Sequence, residues 1–479
     1  MCERRPVATT LWVLLSLAGC AGPTAVRPPE PLPPAAWSNS AGSTAAAKAP
    51  SQPSPAWWLA LGDVQLDALQ AQAQQTHLNT LRRNLAWRMG QLQARQAGLD
   101  EQPRLNLSLG RNASKNLQPD GGSTTVVNGV SVALAGQDPG WQTNYGANLG
   151  LSYEWDVWSR LSQATQAAQA DADSRLEDLR DARALASTQV AEAYWRIAAI
   201  DAQQALLTEQ QQLADEAVRI SQRRWAEGKL RALDVDTAIS QQYLIRKRLQ
   251  GSQVDRQLQL QTLSQLLDQA PPAIAPGQAQ LPLAEPTVPE LGLPAQTLER
   301  RPDVRRARLG VDAALSRSHS AEAARYPALN LSTGINTSGS RWRDWFSQPL
   351  ATLGLSLAVP LVDWRRLDAQ RDLSHLALDD AALALRASVR QALVDVESAL
   401  LERQRWQADW QAAQTQQMEK AKAEAVAKQR LDAGAASRLD AIQARQARIG
   451  ADIDLIDLRL RAWQIQLQLL KAMGEAMPS

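Results

Sequence analysis

The side chains best able to do chemistry in this 479-residue chain are few and scattered. Its three histidines, His77, His319 and His375, show no HExxH-type spacing, so no pair of them presents two metal ligands on one helical face. No GxSxG nucleophile turn and no phosphate-cradling P-loop occurs. Carboxylate pairs such as Asp379-Asp380 fall on expected exposed helix faces, where solvation explains them more simply than acid–base work. Lys+Arg is 51 and Asp+Glu is 49, so there is no broad basic field to draw nucleic acid. The two cysteines, Cys2 and Cys20, lie at the extreme N-terminus, which excludes a disulfide framework or thiolate metal site built from the body of the chain. The expectation is a protein that is not an enzyme, with no catalytic residues, no metal and no soluble cofactor.

Cys20 is the exception, because its surroundings give its thiol a purpose. Arg4 and Arg5 precede an apolar run from Val7 to Ala18, too short for a comfortable membrane span and right for an export signal. The run ends in Leu17-Ala18-Gly19-Cys20, which resembles a bacterial lipoprotein signal. That resemblance implies cleavage before Cys20, a diacylglycerol on its thiol and an N-acyl chain such as palmitate. Residues 1–19 are then the signal peptide and 20–56, rich in Pro, Ala and Ser, a lipidated tether. Ala21 rather than Asp follows the cysteine, which favours the outer membrane over inner-membrane retention.

Proline shows where long elements fit. Of 25 prolines, nine fall between 21 and 56 and eight between 271 and 302, whereas 159–270 and 361–477 contain none. A proline inside a helix costs about 3 kcal/mol, so those two stretches are free to be helical. The chain also repeats itself. Pro103-Arg104-Leu105-Asn106-Leu107-Ser108-Leu109-Gly110 matches Pro327-Ala328-Leu329-Asn330-Leu331-Ser332-Thr333-Gly334 at an offset of 224, and Gly228 with Leu233-Asp234 matches Gly434 with Leu439-Asp440 at 206. The difference places a longer loop in the first copy. The expected division is a first repeat over 57–270, a Pro-rich linker over 271–297 and a second repeat over 298–477. Each repeat opens with a helix, roughly Leu61–Leu99 and Pro302–Ala324, continues with two strands and ends in a helical hairpin, 159–269 and 364–473. Ile449, Ile453, Ile456, Leu460, Trp463, Leu467 and Leu470 alternate steps of four and three, as do Val389, Leu393, Val396 and Leu400, and Val190, Ala193, Ile197 and Ile200, a heptad pattern of helices packed side by side.

Four strands are expected, at about 103–113, 145–157, 327–337 and 351–361. Leu105, Leu107 and Leu109 alternate with Asn106, Ser108 and Gly110, and the other three runs alternate in the same way. Period two with small polar residues on one face is the pattern of a membrane barrel strand beside a wet lumen. A half-buried soluble sheet also alternates, but four runs of barrel-strand length behind an export signal favour the barrel. Four strands cannot close alone, and an open edge in hydrocarbon leaves N–H and C=O groups unpaired, so the strands must be shared between chains.

The order of motifs resembles the TolC-like outer-membrane factors, in their lipoprotein (OprM/NodT-like) efflux branch, over nearly the whole mature chain. The residues that carry the resemblance are the lipobox at Cys20, Trp155-Asp156-Val157-Trp158-Ser159-Arg160, Val190-Ala191-Glu192-Ala193-Tyr194, Glu299-Arg300-Arg301-Pro302-Asp303-Val304-Arg305 and Val359-Pro360-Leu361. One departure is Thr76-His77-Leu78-Asn79, where the family commonly shows an Asn-Pro-Asp type of start. The resemblance implies an α+β membrane protein, a homotrimer whose four strands per chain make a 12-stranded barrel in the Gram-negative outer membrane, with a long periplasmic α-helical barrel. It implies a passive channel of a tripartite efflux system, for drugs or other small solutes, that meets a periplasmic adaptor and an inner-membrane pump of the RND type. A type I protein-secretion channel is the alternative, and a periplasmic adaptor or structural coiled-coil lipoprotein a more distant one. On this reading Gly228, Lys229, Leu230 and Arg231, with Gly434, Ala435, Ala436 and Ser437, form helix-to-helix turns at the periplasmic tip that contact the adaptor. Trp155, Trp158 and Trp364, where strands meet helices, form an aromatic girdle, packing at the strand–helix junction being the plainer reading of each.

Overall fold

A computed structural model of the chain describes residues 26–29, 33–34, 37–38, 57–115, 124–127, 130–133, 141–271, 274–275, 277–286 and 293–474. The lipidation expectation at Cys20 lies outside the described residues.

The first repeat starts with a short 3-10 turn, Trp57–Leu61, and a positive-φ Gly62. Asp63 then accepts the N–H groups of Gln65 and Leu66 at 3.0 and 3.1 Å and so caps helix α1, Val64–Thr76. The single helix expected from Leu61 to Leu99 is in fact two. His77 is extended (ψ 113°), and α2 runs over Leu78–Asp100. The physical reason is a side-chain cap: His77 Nδ1 lies 3.0 Å from Thr80 Oγ1 and accepts the Thr80 N–H at 3.4 Å, satisfying a donor that the break sets free.

Strand β1 covers Arg104–Ser114, and a small hairpin of β2, Thr124–Val127, and β3, Val130–Ala133, stands in the connection to β4, Gln142–Trp155. Helix α3, Arg160–Ala226, follows; at 1.5 Å per residue its 67 residues span about 100 Å. After the turn at 227–231 comes α4, Ala232–Leu267.

In the second repeat α5, Pro294–Arg300, begins inside the stretch expected to be linker, because Pro294 takes the first helical position, where its missing N–H costs nothing. Arg301 is extended (ψ 126°), as a residue before proline must tend to be, and α6 runs over Pro302–Ala323. Then come β5, Ala328–Gly339, β6, Leu350–Ala358, α7, Trp364–Asp432, and α8, Arg438–Ala472. β6 stops ahead of Pro360, which has no N–H to extend the ladder. The longer loop expected in the first copy is the connection 115–141, against 340–349 in the second.

The chain divides into two compact units that each gather segments of both repeats. The first holds 91–171 and 311–380 and contains the four-stranded sheet, ordered β1-β4-β5-β6 and antiparallel throughout. Its central pairing, β4 with β5, joins one repeat to the other.

The second unit holds 29–90, 172–310 and 381–479, and its described residues are mostly helical. The heptad positions Val190, Ala193 and Ile197 of α3 are buried with Leu260, Leu263 and Leu267 of α4 and with Leu66 and Leu69 of α1. A second cluster repeats the theme around Val396, Leu400, Ile465 and Leu469 of α7 and α8. The buried Arg256 of α4 pairs with Asp201 of α3 at 2.5 Å and donates to the Ile274 carbonyl at 2.8 Å, while Asp201 accepts the Gly277 N–H at 3.1 Å. The segment after α4 is thereby tied to both helices. Among the described residues no helix is long and apolar enough to cross a membrane.

Candidate functional site

The strand register sorts the sheet into two chemically distinct faces. Leu105 pairs with Leu151, Leu107 with Leu149, Leu149 with Ile335, Leu331 with Leu355 and Leu329 with Leu357. Asn106 pairs with Gly150, Ser108 with Asn148, Asn148 with Asn336, Ser152 with Ser332 and Asn330 with Ser356. Like therefore faces like across all four strands, and a slip of one residue would destroy the match. The leucines of β1 and β6 are exposed, with Leu353 79% accessible. A face of exposed leucines backed by Asn, Ser and Gly suits hydrocarbon on one side and water on the other. Among the described residues β1 and β6 are the edge strands of the sheet.

Trp155-Asp156-Val157-Trp158-Ser159-Arg160 forms the joint between β4 and α3. Asp156 accepts the N–H groups of Leu161 and Ser162 at 3.0 and 2.8 Å, capping the helix. Burial opposes the Asp156 charge, but these donors outweigh it and hold its pKa below the usual value. Ser159 takes φ 63°, and Arg160 grips Glu154 with a two-pronged contact at 2.7 and 2.8 Å. Trp158 stacks on Tyr326 at 4.8 Å and donates to the Pro327 carbonyl at 2.9 Å, so it is engaged within the joint. Trp155 is 61% exposed at the strand end, and Trp364 is 46% exposed beneath the Arg325 guanidinium, 4.7 Å from its ring centre.

The two glycine turns are built alike. Gly228 (φ 68°) donates to Trp225 O at 2.8 Å and Lys229 N to Arg224 O at 2.7 Å; Gly434 (φ 71°) donates to Leu431 O at 2.9 Å and Ala435 N to Arg430 O at 2.7 Å. Each is a Schellman closure, with glycine where a left-handed residue is needed. The helices that leave them start differently. Ser437 and Asp440 form a capping box, with Ser437 N donating to Asp440 at 2.8 Å, whereas Arg231 has a side chain that pairs with Asp234 at 3.1 Å. The structure brings both turns to one groove of about 630 Å³, walled by Ala214 and Ser221 of α3, Leu230, Thr237 and Ala238 beyond the first turn, and Ser437 and Leu439 beyond the second. Gly228, Lys229, Arg231, Gly434 and Ala435 are exposed; Leu230, Ala436 and Ser437 are half-buried.

A charge ladder beside this groove is absent from the residues picked out by motif. Arg438 grips Glu216 at 2.8 and 2.9 Å, and Arg445 grips Glu209 at 2.7 and 2.8 Å, joining α8 to α3. Arg448 pairs with Glu424 of α7 at 2.9 Å. Hydrogen bonds from Arg445 and Arg438 hold the carboxyls of Glu209 and Glu216 below the usual glutamate value. Glutamates and arginines each seven apart were the available signal; which helix faces which was not.

Sheet faces, long coiled helices and paired turns together define a TolC-like outer-membrane channel subunit. The outer membrane efflux protein family model matches residues 70–269 and 293–475, and the chain belongs to that family. It is 28% identical to the pyoverdine export outer membrane protein OpmQ of Pseudomonas aeruginosa, over 87% of this chain and 86% of that protein. It is 24% identical to the multidrug resistance outer membrane protein MdtQ of Escherichia coli O6:H1, over 82% of each. The crystal structure of the outer membrane protein VceC of Vibrio cholerae superposes with a TM-score of 0.74 at 25% identity, covering 88% of this chain and 99% of VceC. The chain is thus an efflux protein of the Gram-negative outer membrane.

Proposed function

We propose that the chain works as a homotrimer, three four-stranded sheets closing one 12-stranded barrel, and passes small solutes received from a periplasmic adaptor and an inner-membrane pump of the RND type. The observation that carries this reading is the register-matched sheet, apolar on one face and Asn, Ser and Gly on the other, with β1 and β6 as its edges among the described residues. In hydrocarbon each unpaired edge group costs several kcal/mol, and β6 of a second copy is the natural partner for β1. The turns at 228–231 and 434–437 are the adaptor contact, and Cys20 carries the lipid. OpmQ, named for pyoverdine export, and MdtQ, named for multidrug resistance, support a small-solute cargo over a secreted protein.

Ala435→Trp and Ala436→Trp test the contact. Gly434→Leu is less informative, because φ 71° strains any side chain there. The expected outcome is normal trimer in the membrane with adaptor cross-linking and dye export down about tenfold, as for loss of one interface hot spot. Unchanged cross-linking and export at normal trimer levels would move the contact elsewhere. Cys20→Ser is expected to abolish palmitate labelling; labelling that persists would rule out the lipid site.

A further inference from the structure

At the end of the sheet away from the helices, the loop after β5 does not extend outward but folds back onto the apolar face. Gly339 pairs with Tyr145 and belongs to the same alternate set as Leu331, Ile335 and Thr337. A Cβ on Gly339 would lie 2.7 Å from the Asp344 carbonyl oxygen and 3.2 Å from the Trp345 nitrogen, so only glycine lets the loop lie there. The Thr337 hydroxyl, on the same face, donates to the Trp345 carbonyl. This close approach builds an aromatic cluster. Trp342 and Trp345 lie 4.6 Å apart, Phe346 stacks on Trp345 at 5.4 Å, and Tyr145 meets Trp342 edge-on at 5.9 Å. Trp342 is 67% and Phe346 73% exposed. Arg111, paired with Tyr145 in the register, sits over its ring at 5.7 Å on that apolar face. Exposed Arg341 and Arg343 flank Trp342. Among the described residues of this end, Lys115 is a fourth cation and Asp344 the lone carboxylate.

We propose that this cluster is a binding site for a phosphorylated glycolipid of the outer leaflet, its acyl chains on the face of Leu109 and Leu353 and its phosphates on Arg111, Arg341 and Arg343. Amphipathic aromatics settle at the headgroup level, and guanidinium forks match phosphate oxygens, so charge and depth select the same ligand. Parity sets the cluster apart from the lumen: Asn148, Asn336 and Ser152 occupy the other face. The proposal rests on the outer-membrane channel reading.

The test uses the full-length protein in nanodiscs that contain bisphosphorylated lipid A, with lipid retained after detergent washing measured by native mass spectrometry. Wild type is expected to retain lipid A, while Arg341→Gln/Arg343→Gln and Arg111→Gln each retain about tenfold less, and wild type holds dephosphorylated lipid A as weakly as the variants hold the intact lipid. Gly339→Val, which displaces the loop while keeping every cation, is expected to lose retention as well. Equal retention by all proteins, indifference to dephosphorylation, or full displacement by inorganic phosphate would overturn the site. Trimer formation and conductance are read on the same samples. Conducting trimers that ignore lipid A overturn this inference alone, and failure to form trimers overturns the channel reading with it.

Discussion

His77 and Arg301 stand at the same place in the two repeats, 224 residues apart like the strand motifs, yet they solve one problem with opposite chemistry. Both are buried, both are extended and both interrupt the helix that opens the repeat. His77 acts as a neutral cap on Thr80, and burial lowers its pKa. Arg301 keeps its charge. Burial works against it, but Asp303 at 2.7 Å and Asp395 at 2.8 Å outweigh that and raise its pKa, while Asp303 is held below its own usual value. Arg301 also donates to the carbonyl of Ala472 at 2.9 Å, the last residue of α8, where a cation suits the negative end of the helix. The surroundings differ accordingly. The first core includes α1 and the segment around Ile274 and Ala279, whereas the second gathers Trp37 with α7 and α8, which Arg301 ties to the start of α6. A duplicated backbone keeps its break as long as the buried polar group is satisfied, and the copies are free to differ in how.

The contrast predicts unequal costs. Arg301→Met leaves Asp303 and Asp395 without their cation and is expected to destabilise the protein by about 3–5 kcal/mol in denaturant unfolding of the detergent-solubilised protein. His77→Ala removes only a cap, at about 1 kcal/mol. Equal losses would mean that the two positions are not distinct in kind.

Acid titration sharpens the comparison without changing the backbone. Burial holds the folded pKa of His77 below the ordinary histidine value of 6.5, so the unfolded chain takes up its proton first as pH falls. Its contribution is complete well above pH 6.5 and declines as pH drops through that value toward the folded pKa. Asp303 is also depressed, so its contribution persists until pH falls below the ordinary aspartate value of 3.8. His77→Gln should erase the stability slope just below pH 6.5 and leave the acid limb; a slope unchanged in that variant would assign it to another group. The smallest effect belongs to the charge ladder. Glu216→Gln is expected to cost about 0–1 kcal/mol and to lose even that at high salt, because its partner Arg438 is half exposed. A cost above about 2 kcal/mol that salt leaves unchanged would show a desolvated pair.

Much of this was legible in sequence because it is periodic. Strand alternation assigned both faces of the sheet, and proline-free stretches with heptads gave the long helices and their glycine turns. What periodicity does not encode stayed hidden. The break at His77 depends on a side-chain cap three residues long. The ladder needed the knowledge that α8 lies against α3, which seven-residue spacing alone does not supply. The aromatic cluster rests on Trp342, Trp345 and Phe346 in a short aperiodic loop, and only the close approach at Gly339 reveals which face they cover.

The most direct measurement is conductance of the purified full-length protein in a planar lipid bilayer, with mass determined on the same sample. Shared strands around a polar lumen require a trimer that inserts and gives discrete ohmic steps of uniform size. A stable monomer, or a trimer that inserts without passing current even when the tip ion pairs Arg438–Glu216 and Arg445–Glu209 are removed, would contradict a channel lined by Asn, Ser and Gly.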